Sequence, residues 1–281
     1  MTEHRQLKRQ GTVIIFGDCW PVVSAVQGVI QEKCPSRRCV QAHDLTGLAG
    51  RLSSGYVAGL IFCLRPREHL FLFYALRTYL NDIPGLVICD EVLFTDRVML
   101  KCVGNIPVMA HRQLQDMITD NGSRAGNNPL VSFMSIPPAG RREKLPGIFD
   151  HQEGLLNYLQ GLVHNERERL GVTPFQQQLL QEMSDGCQSL VSLSERLCCG
   201  EKRVSYERRC IPVRLGMSPG LYNLLYGALF SESVQRTSFM TPATFNYLVF
   251  CGQNERITTE RDHPIVLPTK MLERVNGGSQ M

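Results

Sequence analysis

The sequence predicts a doubly wound α/β domain over residues 1–120, joined by a linker at 121–154 to an all-α domain at 155–230. Three observations lead to this prediction. As far as residue 119, short apolar runs rich in β-branched residues alternate with segments of helical periodicity. Turn-forming residues are then concentrated in 121–150. From residue 155 onward apolar residues recur at helical spacing, and glycines at 186, 200 and 216 separate the segments.

Five strands and five helices are predicted in the first domain. The strands are residues 11–16, 38–42, 56–64, 85–89 and 106–110, and the helices are residues 20–32, 45–53, 69–80, 93–103 and 112–119. Alternation of this kind is typical of a parallel sheet covered on both faces, and right-handed crossovers give a flavodoxin-type sandwich. The helices at 69–80 and 93–103 are unusually apolar for surface helices, so we expect a partner surface there.

The remaining chain is expected to be mostly helical. A helix is predicted at 155–170, and Thr173 followed by Pro174 marks the start of three or four short helices up to residue 230. A short ordered piece is expected within the linker at 130–134. The extension at 231–281 is ambiguous: residues 245–251 and 264–268 look ordered, whereas 275–281 looks frayed.

Composition limits the classes of protein to which the chain can belong. The 281 residues carry a net charge of +4, and they contain no run near the ~20 apolar residues that a membrane span requires. The eleven cysteines form no C-x-x-C pair and no cluster with zinc-site spacing, and most lie in apolar runs. We therefore expect a cytoplasmic protein with reduced cysteines and no metal.

Signatures of enzymes are missing from the sequence. It contains no G-x-x-x-x-G-K-[ST] loop, no G-x-G-x-x-G after the first strand and no G-x-S-x-G elbow. The seven histidines are dispersed. The prediction is a protein that is not an enzyme, with no catalytic residue and no cofactor.

The segment 201–214 carries the strongest functional signal, because five basic residues oppose two acidic ones there. The basic residues are Lys202, Arg203, Arg208, Arg209 and Arg214, against Glu201 and Glu207. On a helix, Val204, Ile211 and Leu215 share one face and are expected to pack inward, while Lys202, Arg203, Ser205, Arg208 and Arg209 project outward. Such a helix fits the major groove of duplex DNA, where Arg bonds guanine edges and phosphates. A basic face that is merely solvated is the alternative.

The surrounding pattern resembles the LuxR-type (FixJ/NarL-like) helix-turn-helix over about 60 residues. The matching residues are Val172-Thr-Pro-Phe-Gln-Gln-Gln-Leu-Leu180, Met183, Gly186, Leu193-Ser-Glu-Arg-Leu197, Lys202-Arg-Val204, Ile211 and Arg214-Leu-Gly216, with 221–230 as the packing helix. The resemblance implies duplex DNA binding as a dimer. The residues it assigns to DNA contact are Lys202, Arg203, Ser205, Tyr206, Arg208 and Arg209. Arg208 and Arg209 would contact groove or phosphate, Ser205 a base, and Lys202 and Arg203 the backbone.

The sequence departs from this family pattern at several positions. The acidic residues of the first helix are replaced by Gln176 and Gln178, and the scaffold glutamate by Ser192. The histidine of the recognition helix falls on Glu207. Pro212 lacks an N–H and is expected to kink the last turn of that helix.

The first domain resembles the receiver that precedes this motif in response regulators, but its phosphorylation chemistry is missing. A receiver needs an acid pair for Mg²⁺ and an aspartate as phosphate acceptor. Asp18 is the single carboxylate after the first strand, and the acceptor position is Phe62. Cys89 or Asp90 lies near the Thr/Ser position, and Ala110 or His111 near the Lys position. We expect a degenerate receiver that cannot be phosphorylated, with Asp18 as a helix-cap or turn residue.

These observations together favour a transcription regulator that binds DNA and is controlled by protein contact through the receiver-like domain. The expected partners are double-stranded DNA and either a second copy of the chain or another response regulator. The alternative is an adaptor that modulates a partner regulator without binding DNA. A third hypothesis, an enzyme on the doubly wound domain, would require a ligand at the carboxyl ends of the strands.

Overall fold

The computed structural model describes residues 11–119, 129–135, 145, 147–187 and 189–259. The strands in this part are β1 (Thr12–Gly17), β2 (Cys39–Ala42), β3 (Val57–Cys63), β4 (Gly85–Cys89) and β5 (Val108–Ala110). The helices up to residue 135 are α1 (Trp20–Lys33), α2 (Leu45–Leu52), α3 (Leu70–Ala75), α4 (Arg77–Asp82), α5 (Phe94–Cys102), α6 (His111–Thr119) and α7 (Pro129–Ser135). The later helices are α8 (Gln152–Arg169), α9 (Pro174–Ser184), α10 (Leu190–Arg196), α11 (Glu201–Arg214), α12 (Leu221–Gly227) and α13 (Pro242–Thr259).

The five strands form a parallel sheet in the order β2-β1-β3-β4-β5. Ile14 of β1 lies between Val40 of β2 and Leu60 of β3, which fixes the register at the centre of the sheet. Strands β3 and β4 end in fully buried residues, as expected for a sheet covered by helices on both faces. The predicted doubly wound domain followed by a helical region is therefore confirmed.

Helix α9 begins where the sequence predicts a helix start, at Thr173 and Pro174. Thr173 caps α9 by accepting a hydrogen bond from the Gln176 backbone N–H, while the Gln176 side chain accepts one from the Thr173 N–H. Pro174 occupies the first turn, where its missing N–H costs nothing. Helices α9, α10 and α11 pack against one another, and α12 closes the group against α11.

The apolar helices of the first region are covered by the C-terminal half of the same chain, so the predicted partner surface is wrong. The predicted helix at 69–80 is two helices, α3 and α4, which meet at Leu76. The Tyr74 hydroxyl donates to the Phe149 carbonyl at 2.9 Å, and Phe71 packs edge-on against Phe239 at 5.5 Å. On α5, the Phe94 N–H donates to the Met217 sulfur at 3.3 Å. These faces are apolar because the chain itself buries them.

The ordered piece expected within the linker is helix α7, which lies on the sheet. Phe133 is buried against Gly59 of β3, where an added Cβ would lie 2.8 Å from the ring. The Arg37 guanidinium donates to the Met134 carbonyl at 2.8 Å. The turn-rich segments on either side, 121–128 and 136–144, lie outside the described residues.

The ordered stretch expected at 245–251 is part of α13, which returns to the first region and packs on α2 and α3. Phe245 is fully buried and meets Tyr79 edge-on at 5.8 Å. Gly252 approaches Gly50 of α2 closely. One continuous apolar core therefore extends from the sheet through the helical region. The predictions for 264–268 and 275–281 concern residues outside the described part of the chain.

All eleven cysteines lie in the described part of the chain and are free thiols. Three of them are buried, namely Cys63, Cys89 and Cys187. Among the residues that the structure describes, no three His, Cys, Asp or Glu side chains are grouped so that they could hold a metal ion. The helices that the structure describes include none that is both long and apolar enough to cross a membrane.

Candidate nucleic-acid interface and strand-end cleft

Helix α11 buries one stripe of its surface and presents the rest outward. Val204, Ile211 and Leu215 are buried against the neighbouring helices, as their spacing predicts. Gly200 precedes the helix in an extended conformation, and its carbonyl accepts from the Val204 N–H at 3.3 Å.

Three basic residues predicted to contact DNA are exposed on this outward face: Lys202, Arg203 and Arg209. The Arg203 guanidinium lies 4.3 Å above the Phe175 ring, a cation–π contact that restrains the side chain while leaving its charge in place. The Arg209 Nε donates to the Ser205 carbonyl at 3.4 Å. Tyr206 lies between them and is 61% exposed.

Ser205 and Arg208 are half-buried and do not project freely as the sequence suggests. They line a shallow cleft of about 180 Å³ with Leu190 of α10 and Leu221 and Leu224 of α12. Arg208 is four residues beyond Val204, so it lies next to the packed stripe rather than opposite to it. The cleft therefore brings Ser205, Arg208 and Arg209 together beside α12.

Two departures from the LuxR-type pattern are bonded to each other. The Gln176 side chain of α9 is buried and donates through Nε2 to the Glu207 carboxylate of α11 at 2.7 Å. This bond holds the acidic group of Glu207 against α9. The two substitutions act as a pair, which sequence spacing alone does not reveal.

Pro212 does not end helix α11, which continues to Arg214. The Leu215 N–H donates to the Ile211 carbonyl at 3.0 Å, and the Met217 N–H donates to the Pro212 carbonyl at 2.8 Å. The Arg214 guanidinium donates to the Gly171 carbonyl at 2.5 Å, which ties the end of α11 to the start of α9. The kink expected at Pro212 remains a prediction.

A second candidate site is a cleft of about 380 Å³ at the carboxyl ends of the strands. Its walls include Cys63 of β3 and Cys89 of β4, and it also reaches Asp90 and His111. Phe62 is fully buried, and its ring packs on Phe73 at a centroid distance of 5.0 Å. Phe62, the residue predicted to stand at the acceptor position, is therefore a core side chain, and Cys63 lines the cleft beside it.

The charged groups of this cleft are paired with one another. Asp18 accepts from Arg236 at 2.7 Å, and Arg236 also contacts Glu68 at 2.8 Å. Arg65 binds Asp90 through two hydrogen bonds of 3.0 and 2.5 Å. Of the two roles expected for Asp18, the helix cap is wrong, because Cys19 is the N-cap residue of α1. Asp18 lies in the bend after β1 and is committed to ion pairs.

The pKa shifts in the cleft follow from this pairing and from burial. The hydrogen bonds from Arg65 lower the pKa of Asp90 to about 2. Burial raises the pKa of both the Cys63 and Cys89 thiols to about 12. Both cysteines are therefore neutral thiols near pH 7, which makes them poor nucleophiles.

The residue that sequence reasoning missed is Arg236, which comes from the extension. The segment around it runs along the start of α3: the Leu70 N–H donates to the Gln235 side chain at 2.9 Å, and the Arg236 N–H donates to the Glu68 carbonyl at 2.8 Å. His69 bonds Thr237 at 2.9 Å, and its burial lowers its pKa. Arg236 and Asp18 are 218 positions apart, and no local pattern links them.

No family model matches the chain, and no curated protein matches it in sequence. Among solved structures, a chain from a structure of two RcsB dimers bound to two parallel DNAs has a TM-score of 0.48 at 13% identity, covering 78% of this chain and 98% of that one. RcsB from Salmonella enterica serovar Typhimurium, bound to a promoter, has a TM-score of 0.43 at 13% identity, with coverages of 78% and 98%. The response regulator StyR has a TM-score of 0.24 at 18% identity, with coverages of 77% and 97%.

Proposed function

We propose that the protein is a transcription regulator that binds duplex DNA through helix α11. The observation that carries this proposal is the exposure of Lys202, Arg203 and Arg209 on a helix whose other face is buried against α9, α10 and α12. A helix displayed in this way can enter the major groove with its basic residues near base edges and phosphates.

The proposed contacts divide by position on the helix. Lys202 and Arg203, in the first turn, anchor the DNA backbone, and the cation–π contact with Phe175 limits the side-chain entropy that Arg203 loses on binding. Arg209 contacts groove or phosphate, with Tyr206 beside it. Ser205 and Arg208 reach the DNA from the cleft next to α12.

We further propose that the receiver-like region acts in the cytoplasm through protein contact rather than phosphorylation. Support comes from the buried Phe62 at the acceptor position and from the ion pairs that occupy Asp18. The partner is a second copy of the chain or another response regulator. Because α3 and α5 are covered by the chain itself, that contact uses a different surface.

The proposal is tested by fluorescence anisotropy of the full chain on a labelled duplex over a series of salt concentrations. Replacing Lys202, Arg203 and Arg209 together by Ala is expected to weaken binding at low salt and to flatten the log-log salt slope by roughly 0.9 for each phosphate that the variant no longer neutralises. The matched control replaces Arg38, Arg51 and Arg112, which are exposed basic residues of the first region. Equal losses of affinity in both triple variants would overturn the assignment to α11.

The adaptor alternative is favoured by one observation, the half-burial of Arg208 beside Leu190 and Leu221. In that case the cleft serves the packing of α11 on its neighbours rather than DNA contact. The full chain would then bind no duplex even at low salt. The same anisotropy series distinguishes this outcome from a DNA-binding protein.

A further inference from the structure

A cavity of about 690 Å³ lies where α5 of the first region meets α8 and the end of α11. This volume lies within the range of about 300–1,000 Å³ that is usual for small-molecule sites, which often form between domains. Its wall is largely apolar and includes Phe94, Val98, Tyr158, Leu162 and Leu215. An apolar wall of this size fits a hydrocarbon chain or an aromatic group.

The same cavity is lined by more positive than negative charge. Four cations line it, Arg97, Lys101, Arg169 and Arg214, against one carboxylate, Glu166. Glu166 is neutralised by Arg169, whose guanidinium donates to both of its oxygens at 2.6 and 2.8 Å, and this pairing lowers the pKa of Glu166. The remaining charge at the cavity is therefore positive.

Arg97 contributes a charge that backbone groups do not neutralise. Its guanidinium donates to the carbonyls of Val92 and Gly216 at 3.4 Å and also to that of Leu215. Carbonyl oxygens orient the guanidinium but carry no net charge, and partial burial lowers the pKa of Arg97. An anionic group at the cavity would be attracted to Arg97, with Lys101 one helical turn away on α5.

We propose that this cavity binds an amphipathic carboxylate of the fatty-acid class. Its apolar tail lies against Phe94, Val98 and Leu162, and its carboxylate lies at Arg97 and Lys101. Guanidinium and carboxylate match in geometry as well as in charge, and the apolar wall excludes a small hydrophilic anion as a good ligand. A cationic amphiphile with the same tail is disfavoured by Arg97, Lys101 and Arg214.

The site is tested by isothermal titration calorimetry of the full chain with sodium dodecanoate below its critical micelle concentration. Saturable one-to-one binding is expected, whereas dodecyltrimethylammonium, the cation with the same tail, is expected not to bind. Lys101→Glu is expected to weaken dodecanoate binding about tenfold, and Arg112→Glu, a charge reversal at an exposed site on α6, is expected to leave it unchanged.

A variant that fills the cavity gives an independent test. Leu162→Trp places a bulky indole ring in the space proposed for the tail and is expected to abolish dodecanoate binding. Circular dichroism would confirm that the variant is folded. The proposal is overturned by non-saturable binding of dodecanoate, by equal binding of the cationic amphiphile, or by equal effects of the two charge reversals. The titration contains no DNA, so its result is independent of the function proposed for α11.

Discussion

Helices α11 and α13 belong to the same C-terminal half, yet they relate to the rest of the molecule in opposite ways. Helix α11 exposes the charged side chains of Lys202, Arg203 and Arg209 and buries a single stripe that includes Val204 and Ile211. Helix α13 returns to the first region and buries Phe245 and Val249 against it. Arg236, just before α13, is likewise paired internally with Asp18 and Glu68, whereas Lys202 and Arg209 of α11 are exposed.

Side-chain chemistry, rather than position in the chain, decides which of the two helices packs against the rest of the molecule. Five basic residues in α11 leave it only a narrow apolar stripe, because burying an unpaired charge is costly. The start of α13 has large apolar residues and no charged group before Glu255. A helix of that composition is stable only when another surface covers it, and α2 and α3 supply that surface.

The largest effect is expected from removing the anchor of α13. Phe245→Ala deletes a fully buried ring and is expected to lower the free energy of unfolding by about 3–5 kcal/mol, as measured by urea denaturation. The control is Phe250→Ala on the same helix, where the ring is 57% exposed and the expected change is within about 0.5 kcal/mol. Similar losses of stability in both variants would show that α13 is not fixed by its buried face.

A smaller change in the free energy of unfolding is expected when one of the paired charges of the strand-end cleft is removed. Because Arg65 lowers the pKa of Asp90 to about 2, the ionised carboxylate stabilises the fold above the ordinary carboxyl pKa of about 4. That contribution is lost as the pH falls from about 4 toward 2. Asp90→Asn is expected to reduce the decline in stability over this interval, as followed by urea denaturation at each pH.

The control for this pH series is Asp116→Asn, which removes an exposed carboxylate on α6. Asp90 itself is partly exposed, so solvent screening keeps the difference small. If the two variants show the same acid profile, the ion pair with Arg65 contributes nothing to the acid sensitivity of the fold.

The smallest effect on stability is expected on the outward face of α11. Arg209→Ala is expected to change the free energy of unfolding by less than about 0.5 kcal/mol, because the side chain is exposed and its hydrogen bond to Ser205 is long. The same variant is expected to weaken duplex binding in the anisotropy assay and to flatten its salt slope by about 0.9. A large loss of stability without a loss of duplex binding would show that Arg209 has a structural role and does not contact DNA.

Local pattern was sufficient to predict the sheet and the buried stripe of α11. Runs such as residues 85–89 are apolar and β-branched because both faces of a central parallel strand are covered. Val204, Ile211 and Leu215 follow the period of a helix packed on one side. In both cases, the spacing of apolar residues over a short segment is sufficient to show which side chains are buried.

Contacts between distant segments could not be predicted in this way. The sequence shows that α3 is apolar, but it does not say whether another protein or the same chain covers it, and here Phe149 and Phe239 do so. The pairing of Gln176 with Glu207 depends on how α9 crosses α11. Arg236 reaches Asp18 only after the chain has passed through the whole helical region.

The return of the chain has a practical consequence for dissecting the molecule. A fragment that stops at residue 230 would lack Phe239 and Phe245 and would leave the rings of Phe71, Tyr74 and Tyr79 without their cover. An exposed aromatic surface of this kind promotes self-association. The fragment is therefore expected to aggregate, and its oligomeric state would not be that of the full chain. A synthetic peptide that spans residues 235–252, added to this fragment, is expected to cover the exposed aromatic rings again and to reduce its self-association.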